Sequence, residues 1–182
     1  KESETVNFQI SREDAILEIL DHMQYNDVIV STTGKTSREL FEIREQKKEK
    51  HNRDFLTVGS MGHASQIALG ISITQPKRKI YCFDGDGSAI MHLGSFGIIG
   101  QLSPKNFIHI IFNNGTHDSV GGQPTIGTIL NFSRLGIEFN YSHSFSISDL
   151  KELRTTLNKI NLVDGPVLIE IKVKGGARAD LG

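Results

Sequence analysis

Cysteine is nearly absent: Cys82 stands alone among 182 residues. No disulfide can close within the chain, and the apolar run around Cys82 marks a small core residue rather than a reactive thiol. Apolar runs long enough to cross a bilayer are missing, and no secretory leader is recognisable, so the expected setting is the cytoplasm. Neither sign of charge dominates: 20 Lys and Arg face 21 Asp and Glu, for a net charge of -1. The longest charged stretch, Arg44 to Lys50, mixes Glu with Lys and offers no basic face. Nucleic acid and anionic membrane are therefore not expected partners. Repeats and low-complexity segments are lacking, as are two nucleotide signatures. Gly34-Lys35-Thr36 ends like a phosphate-binding loop, but Ile29 stands where that loop needs its upstream glycine. No Gly-x-Gly-x-x-Gly turn follows the first strand either, which disfavours a non-catalytic nucleotide- or phosphate-binding module.

What remains is a chain whose length suits one domain, residues 1–182, with a sound core. Residues 1–10 are polar and aperiodic and read as a linker or tail. Ser11 and Asp14 form a capping box for a helix over about 12–24, with Ile16, Leu20 and Met23 on one face. A strand is predicted at 28–31, a helix at 38–47, a short strand at 55–58 and a helix at 64–73. Ile126 to Leu135 reads as helix, Tyr141 to Phe145 as strand, and Ser148 as the cap of a helix carrying Leu150, Leu153, Leu157 and Ile160. Val167 to Val173 is the last strand, and 175–182 a loose tail whose abrupt end suggests a longer protein.

The centre of the chain is Lys79 to Thr125. An apolar strand, Lys79 to Phe83, breaks into Asp84-Gly85-Asp86-Gly87-Ser88, and a second, Phe107 to Phe112, ends in Asn113-Asn114. Between them, Gly94, Gly97 and Gly100 among large apolar residues suit a crossover helix lying close on a sheet. Strand, helix, strand means parallel pairing, and ligands of an open parallel sheet bind beyond the carboxyl ends of the strands. Asp86 offers an anionic oxygen there and Asn114 a neutral one, with glycines that let backbone approach an anion. Mg²⁺ takes few protein ligands beside substrate phosphates, so a magnesium diphosphate fits. Asp-Gly and Asn-Gly pairs are also ordinary turn formers, but the 25 residues from 88 to 112 are what a parallel unit needs to bring both clusters to one rim. Thr36 and Ser37 open a helix, where they serve as an N-cap, as phosphate contacts, or as both. Residues 115–128 form a glycine-rich loop over the ligand, with His117, Asp118 and Gln123 as its reactive-looking members.

Gly85-Asp86-Gly87, then 25 residues, then Asn113-Asn114 resembles the thiamine diphosphate motif of the decarboxylase and acetolactate synthase superfamily. Phe55 to Ser65, Thr33 to Leu40 and Asn113 to Thr125 are similar to the phosphonopyruvate decarboxylases within it, over nearly the whole chain but only half of such an enzyme. The resemblance implies an α/β fold, a three-layer open parallel sheet with helices on both faces. It implies that Asp86 and Asn114 bind Mg²⁺ through side chains and Thr116 through its backbone carbonyl. Thr36 or Ser37, Gly85, Gly87 and Ser88 would lie along the diphosphate. Gly59 and Ser60 would pass close to the cofactor, and Met61 would wedge beneath it. His117 is a candidate catalytic group.

The same resemblance implies decarboxylation of a 2-oxo acid: phosphonopyruvate to phosphonoacetaldehyde and CO₂ in phosphonate biosynthesis, with sulfopyruvate as the near alternative. The carboxylic group that protonates the cofactor's pyrimidine lies, in the family, on a pyrimidine-binding domain, and no motif here matches it. The expected partner is that domain, on the same or another chain, within a homo-oligomer; alone, this half is expected to be inactive.

Overall fold

A computed structural model describes residues 8–181. In chain order the elements are α1 (Arg12–His22), β1 (Val28–Ser31), α2 (Lys35–Gln46), β2 (Asp54–Leu56), α3 (Ala64–Thr74), β3 (Ile80–Gly85), α4 (Asp86–Met91), α5 (Ser95–Leu102) and β4 (Phe107–Asn113). A small antiparallel hairpin follows, β5 (Thr116–His117) with β6 (Gln123–Pro124), then α6 (Phe132–Glu138), β7 (His143–Ile147), α7 (Leu150–Ile160) and β8 (Val167–Lys172).

Six strands form one sheet in the order β2-β1-β3-β4-β8-β7, every pairing parallel. Because strand side chains alternate between faces, Tyr81, Phe83, Ile108, Ile110, Phe112, Ile169 and Ile171 point to one layer and meet α1, α2 and α7. Cys82, Phe107, Ile111 and Leu168 point to the other and meet α3, α5 and α6. The expected three-layer sheet is thus what forms, and β4 is buried along its whole length. Each fully buried Ile or Phe there contributes about 1.5–3 kcal/mol.

Several boundaries differ from expectation. Ser11 caps α1 by accepting from Asp14 N–H, as its spacing predicts, but α1 ends at His22. α2 begins at Lys35, so Thr36 and Ser37 lie inside its first turn and neither is the cap, which falls at Gly34. The crossover is two helices: Asp86, Gly87 and Ser88 are the first turn of α4, and the backbone breaks again before α5. Gly100 does provide a close approach, but to Phe139 beyond α6, whose carbonyl oxygen would lie 1.7 Å from an added Cβ; Phe96 and Ile99 take the buried face. The predicted helix at 126–135 starts late, at Phe132, because Asn131 is the residue whose side chain caps it. Asp149, not Ser148, caps α7. The two ends are tied in. Ile10 is buried and bridges Val173, and Arg178 pairs with Glu13 and Glu42. The remainder of the expected linker, residues 1–7, and Gly182 of the expected tail lie outside the described residues.

Candidate active site

From β1 the chain moves outward to β2, then returns to β3 on β1's other side and continues to β4. The connections that leave the carboxyl ends of β1 and β3 therefore diverge, and such a switch point leaves a crevice. A cavity of about 720 Å³ opens there, within the range of small-molecule sites. The ends of β1, β3 and β4 line it with Thr32 to Ser37, Gly85 to Ser88, and Asn114, Thr116 and His117.

The three expected cation ligands meet at this cavity. Asp86 is 2% exposed. Burial pushes its carboxyl above the ordinary Asp value, against hydrogen bonds from the Thr125 hydroxyl and the backbone N–H groups of Asn114 and Gly87. Gly127 closes behind it so tightly that an added Cβ would stand 2.4 Å from Asp86 Oδ2. Asn114 Oδ1 accepts from Thr116 N–H at 3.0 Å, and Asn114 Nδ2 donates to Asp118 Oδ2 at 2.7 Å. A buried carboxylate held by neutral donors, beside an amide oxygen and a backbone carbonyl, is the hard oxygen set that a divalent cation uses, so these residues fit Mg²⁺.

Of the other expected residues, Thr36, Ser37, Met61, Gly85, Gly87 and Ser88 line the same cavity. The Ser37 hydroxyl donates to Thr32 O at 2.6 Å, tying the start of α2 to the end of β1. Ser88 Oγ meets Thr32 Oγ1 at 2.9 Å and accepts from Gly62 N–H at 3.0 Å, joining the three loops. Gly59 and Ser60 do not line the cavity. With φ of +70° and +47° they form the turn that brings Met61 back into it. His117 lies over Gly87, where a Cβ would come within 2.6 Å of its Nδ1; the glycine lets the imidazole reach the cavity wall.

Residues 32–171 match the protein family described as thiamine pyrophosphate enzyme, C-terminal TPP binding domain. The chain belongs to this family. Its cofactor is thiamine diphosphate, the compound that the family description calls thiamine pyrophosphate. The chain is 36% identical over 172 residues to phosphonopyruvate decarboxylase of Streptomyces hygroscopicus, covering 94% of this chain and 41% of that one. It is 30% identical over 151 residues to sulfopyruvate decarboxylase subunit beta of Methanothermobacter thermautotrophicus, covering 83% and 76%. It therefore spans 41% of the length of the phosphonopyruvate decarboxylases it matches. A thiamine diphosphate-dependent 4-hydroxybenzoylformate decarboxylase from Rhodococcus jostii RHA1 shares the fold, with a TM-score of 0.74 at 17% identity over 96% of this chain and 34% of that chain.

Thr32, Lys35 and Thr57 within the matched thiamine pyrophosphate domain, and Arg12 before it, also line the cavity, and none of them is among the expected site residues. Thr32 stands at the end of a predicted strand, where a ligand contact is expected. Arg12 carries no such signal, because it arrives from α1, far away in sequence. A second cluster of ligand-type atoms, Cys82, Asp84 and His109, lies within 4.8 Å on the opposite face of the sheet. Both His109 nitrogens already have partners, Tyr141 Oη at 2.9 Å and Asp84 Oδ2 at 3.3 Å. Burial pushes the Cys82 thiol up, so Cys82 is the inert core residue its sequence setting implies. Among the described residues no helix is long and apolar enough to cross a membrane.

Proposed function

We propose that this chain is the diphosphate- and Mg²⁺-binding domain of a 2-oxo acid decarboxylase, and that its substrate is phosphonopyruvate, released as phosphonoacetaldehyde and CO₂ in phosphonate biosynthesis. The observation that carries the reading is the convergence of Asp86, Asn114 and Thr116 on one cavity at the sheet's switch point. The 36% identity with a phosphonopyruvate decarboxylase over 94% of the chain supports the substrate class.

When bound, thiamine diphosphate supplies the electron sink for loss of CO₂ from a 2-oxo acid. The chain's own residues bind, orient and desolvate. Asp86 Oδ, Asn114 Oδ1 and the Thr116 carbonyl would hold Mg²⁺. The N–H groups and hydroxyls around Thr36 and Ser37, with Gly85, Gly87 and Ser88, hold the phosphate oxygens. Gly59 and Ser60 form the turn that delivers Met61 to the cavity, where Met61 would support the cofactor as an adaptable apolar side chain. His117, on the wall beside Gly87, is placed to donate or accept a proton near neutral pH. The pyrimidine ring requires a carboxylic group supplied from outside residues 1–182, by a pyrimidine-binding domain of the same or a partner chain, within a cytoplasmic homo-oligomer. Val58 and Val120, on the cavity lining yet 96% and 70% exposed, give that partner an apolar edge to close upon.

Sulfopyruvate is the second reading, favoured by the 30% identity with a sulfopyruvate decarboxylase beta subunit of which this chain covers 76%. Steady-state decarboxylation by the complete enzyme, measured with each acid, separates them. A kcat/KM at least tenfold higher for phosphonopyruvate supports the first reading, and the reverse ratio installs the second. Turnover of neither, with thiamine diphosphate and Mg²⁺ present, overturns both.

A further inference from the structure

Asn114 and Thr116, as cation ligands, must be held in place before a cation arrives. An Asn amide has an acceptor end and a donor end, and only the oxygen can serve a hard cation. Asp118 makes the two ends unequal. Its Oδ2 takes the Asn114 amide nitrogen at 2.7 Å. A flipped amide would instead set oxygen against carboxylate oxygen at that distance, while its NH₂ would face the Thr116 N–H that now donates to Asn114 Oδ1. The other carboxylate oxygen, Oδ1, accepts from the Thr116 hydroxyl at 2.7 Å, holding the residue whose backbone carbonyl is the third ligand.

Asp118 is itself braced. Gly176 N–H donates to its Oδ2 at 2.9 Å, and Arg12 Nη1 lies 3.6 Å from the same oxygen. Arg12 is pinned in turn by a two-point bond to Glu39, at 2.6 and 2.8 Å, with both side chains buried. Burial alone would lower the Arg12 pKa; Glu39 and then Asp118 carry it above the ordinary value, so the brace is a full positive charge. Arg12 and Gly176 both lie outside the matched residues 32–171. The flanks of the chain thus reach the loop after β4.

We propose that Asp118, held by Arg12 and the Gly176 N–H, is the positioning residue of the cation site: it locks the Asn114 amide with its oxygen toward the cation and fixes the Thr116 backbone beside it. This rests on the assignment of Asn114 as a cation ligand. Partners of this kind change metal affinity by about 10–100-fold when removed.

The test is a double-mutant cycle read by Mn²⁺ binding, followed by electron paramagnetic resonance at fixed, saturating thiamine diphosphate on the full chain. Asp118→Ala is expected to weaken Mn²⁺ by about 10–100-fold, and Asn114→Ala by at least as much. Adding Asp118→Ala to Asn114→Ala should then weaken binding by clearly less than Asp118→Ala does alone, because the part that acts through Asn114 is already lost and only the hold on Thr116 remains. Asp118→Asn can still present an oxygen to the Asn114 NH₂ and should retain affinity to within about tenfold of the parent. If Asp118→Ala does not fold, Asp118→Ser, whose single short oxygen cannot hold both Asn114 and Thr116, carries the same cycle in both backgrounds. Unchanged Mn²⁺ affinity in Asp118→Ala, or losses that simply add in the double variant, overturns the positioning role. Parent-like affinity in Asn114→Ala instead overturns the cation-site assignment on which the proposal stands.

Discussion

Two polar networks sit at the carboxyl ends of the central strands, one on each face of the sheet, and they differ in what completes them. On the face covered by α3, α5 and α6, Asp84 accepts from Gly85 N–H at 3.0 Å and meets His109 Nε2, while His109 Nδ1 meets the Tyr141 hydroxyl. Every one of these side chains is at most 4% exposed, and the network closes upon itself. On the face covered by α1 and α2, the network of Arg12, Glu39, Asp118 and Asn114 runs to the wall of a cavity, where the Asn114 N–H bonds Asp86. Asp84 and Asp86 are two residues apart and both hidden from water, so burial does not distinguish the proposed cation ligand. Partners do: Asp84 is satisfied by protein, whereas Asp86 has neutral donors and an open side on which a cation fits.

The largest effect that can break this division is on cofactor binding. Asp86→Ala should weaken Mg²⁺-dependent thiamine diphosphate binding, measured by calorimetry, by about 100-fold or more, since an anionic ligand of a hard cation is lost. His109→Ala should leave it within about threefold of the parent. Should His109→Ala lose binding as fully as Asp86→Ala, the two networks are one functional unit.

Next in size is stability, where the order reverses. His109→Ala strips Asp84 Oδ2 of its imidazole and leaves the buried Tyr141 hydroxyl without a partner, at a cost of about 2–4 kcal/mol, read as a lower urea midpoint with the slope unchanged. In the absence of cation, Asp86→Asn should melt higher than the parent at neutral pH, since a buried charge is removed. A lower melting temperature would mean that Asp86 is already compensated within the protein.

The raised Asp86 titration sharpens the contrast through pH. The protonated side chain is the form that folding favours, so cation-free stability is fullest below the ordinary carboxylate range and declines as pH rises through the raised value. Mg²⁺ competes with that proton, so its affinity climbs across the same window. Asp86→Asn should flatten the stability profile there; a slope that persists in Asp86→Asn assigns the effect to another group.

Smallest is Tyr141→Phe, which deletes only the hydroxyl at the far end of the closed network. A loss of about 1 kcal/mol is expected, and a melting temperature lower by roughly 2–4 °C for a chain of this size. No change would show that His109 needs only Asp84.

Much of this arrangement was legible in the residues. The apolar runs at Ile80 to Phe83 and Phe107 to Phe112, joined through a crossover, implied parallel strands, and the polar clusters that end them put Asp86 and Asn114 at one rim. Local boundaries were less legible, because caps compete at close range. Ser148 and Asp149 are adjacent and both bond Glu152, so pattern alone does not choose between them. Gly59 and Ser60 looked like cavity residues from their size, yet their left-handed backbone turns them outward and delivers Met61 instead.

The sequence by itself determined the strand periods, the spacing that brings Asp86 beside Asn114, and the family to which those motifs belong, because each depends on residues near one another along the chain. Only the tertiary structure decided that Arg12 and Gly176 meet at Asp118, that Asp84 turns inward while Asp86 faces the cavity, and that Ser88 ties Thr32 to Gly62. Those contacts join segments as many as 164 residues apart, and no local pattern encodes them. They follow from how a doubly wound sheet stacks its helices and gathers the ends of its strands.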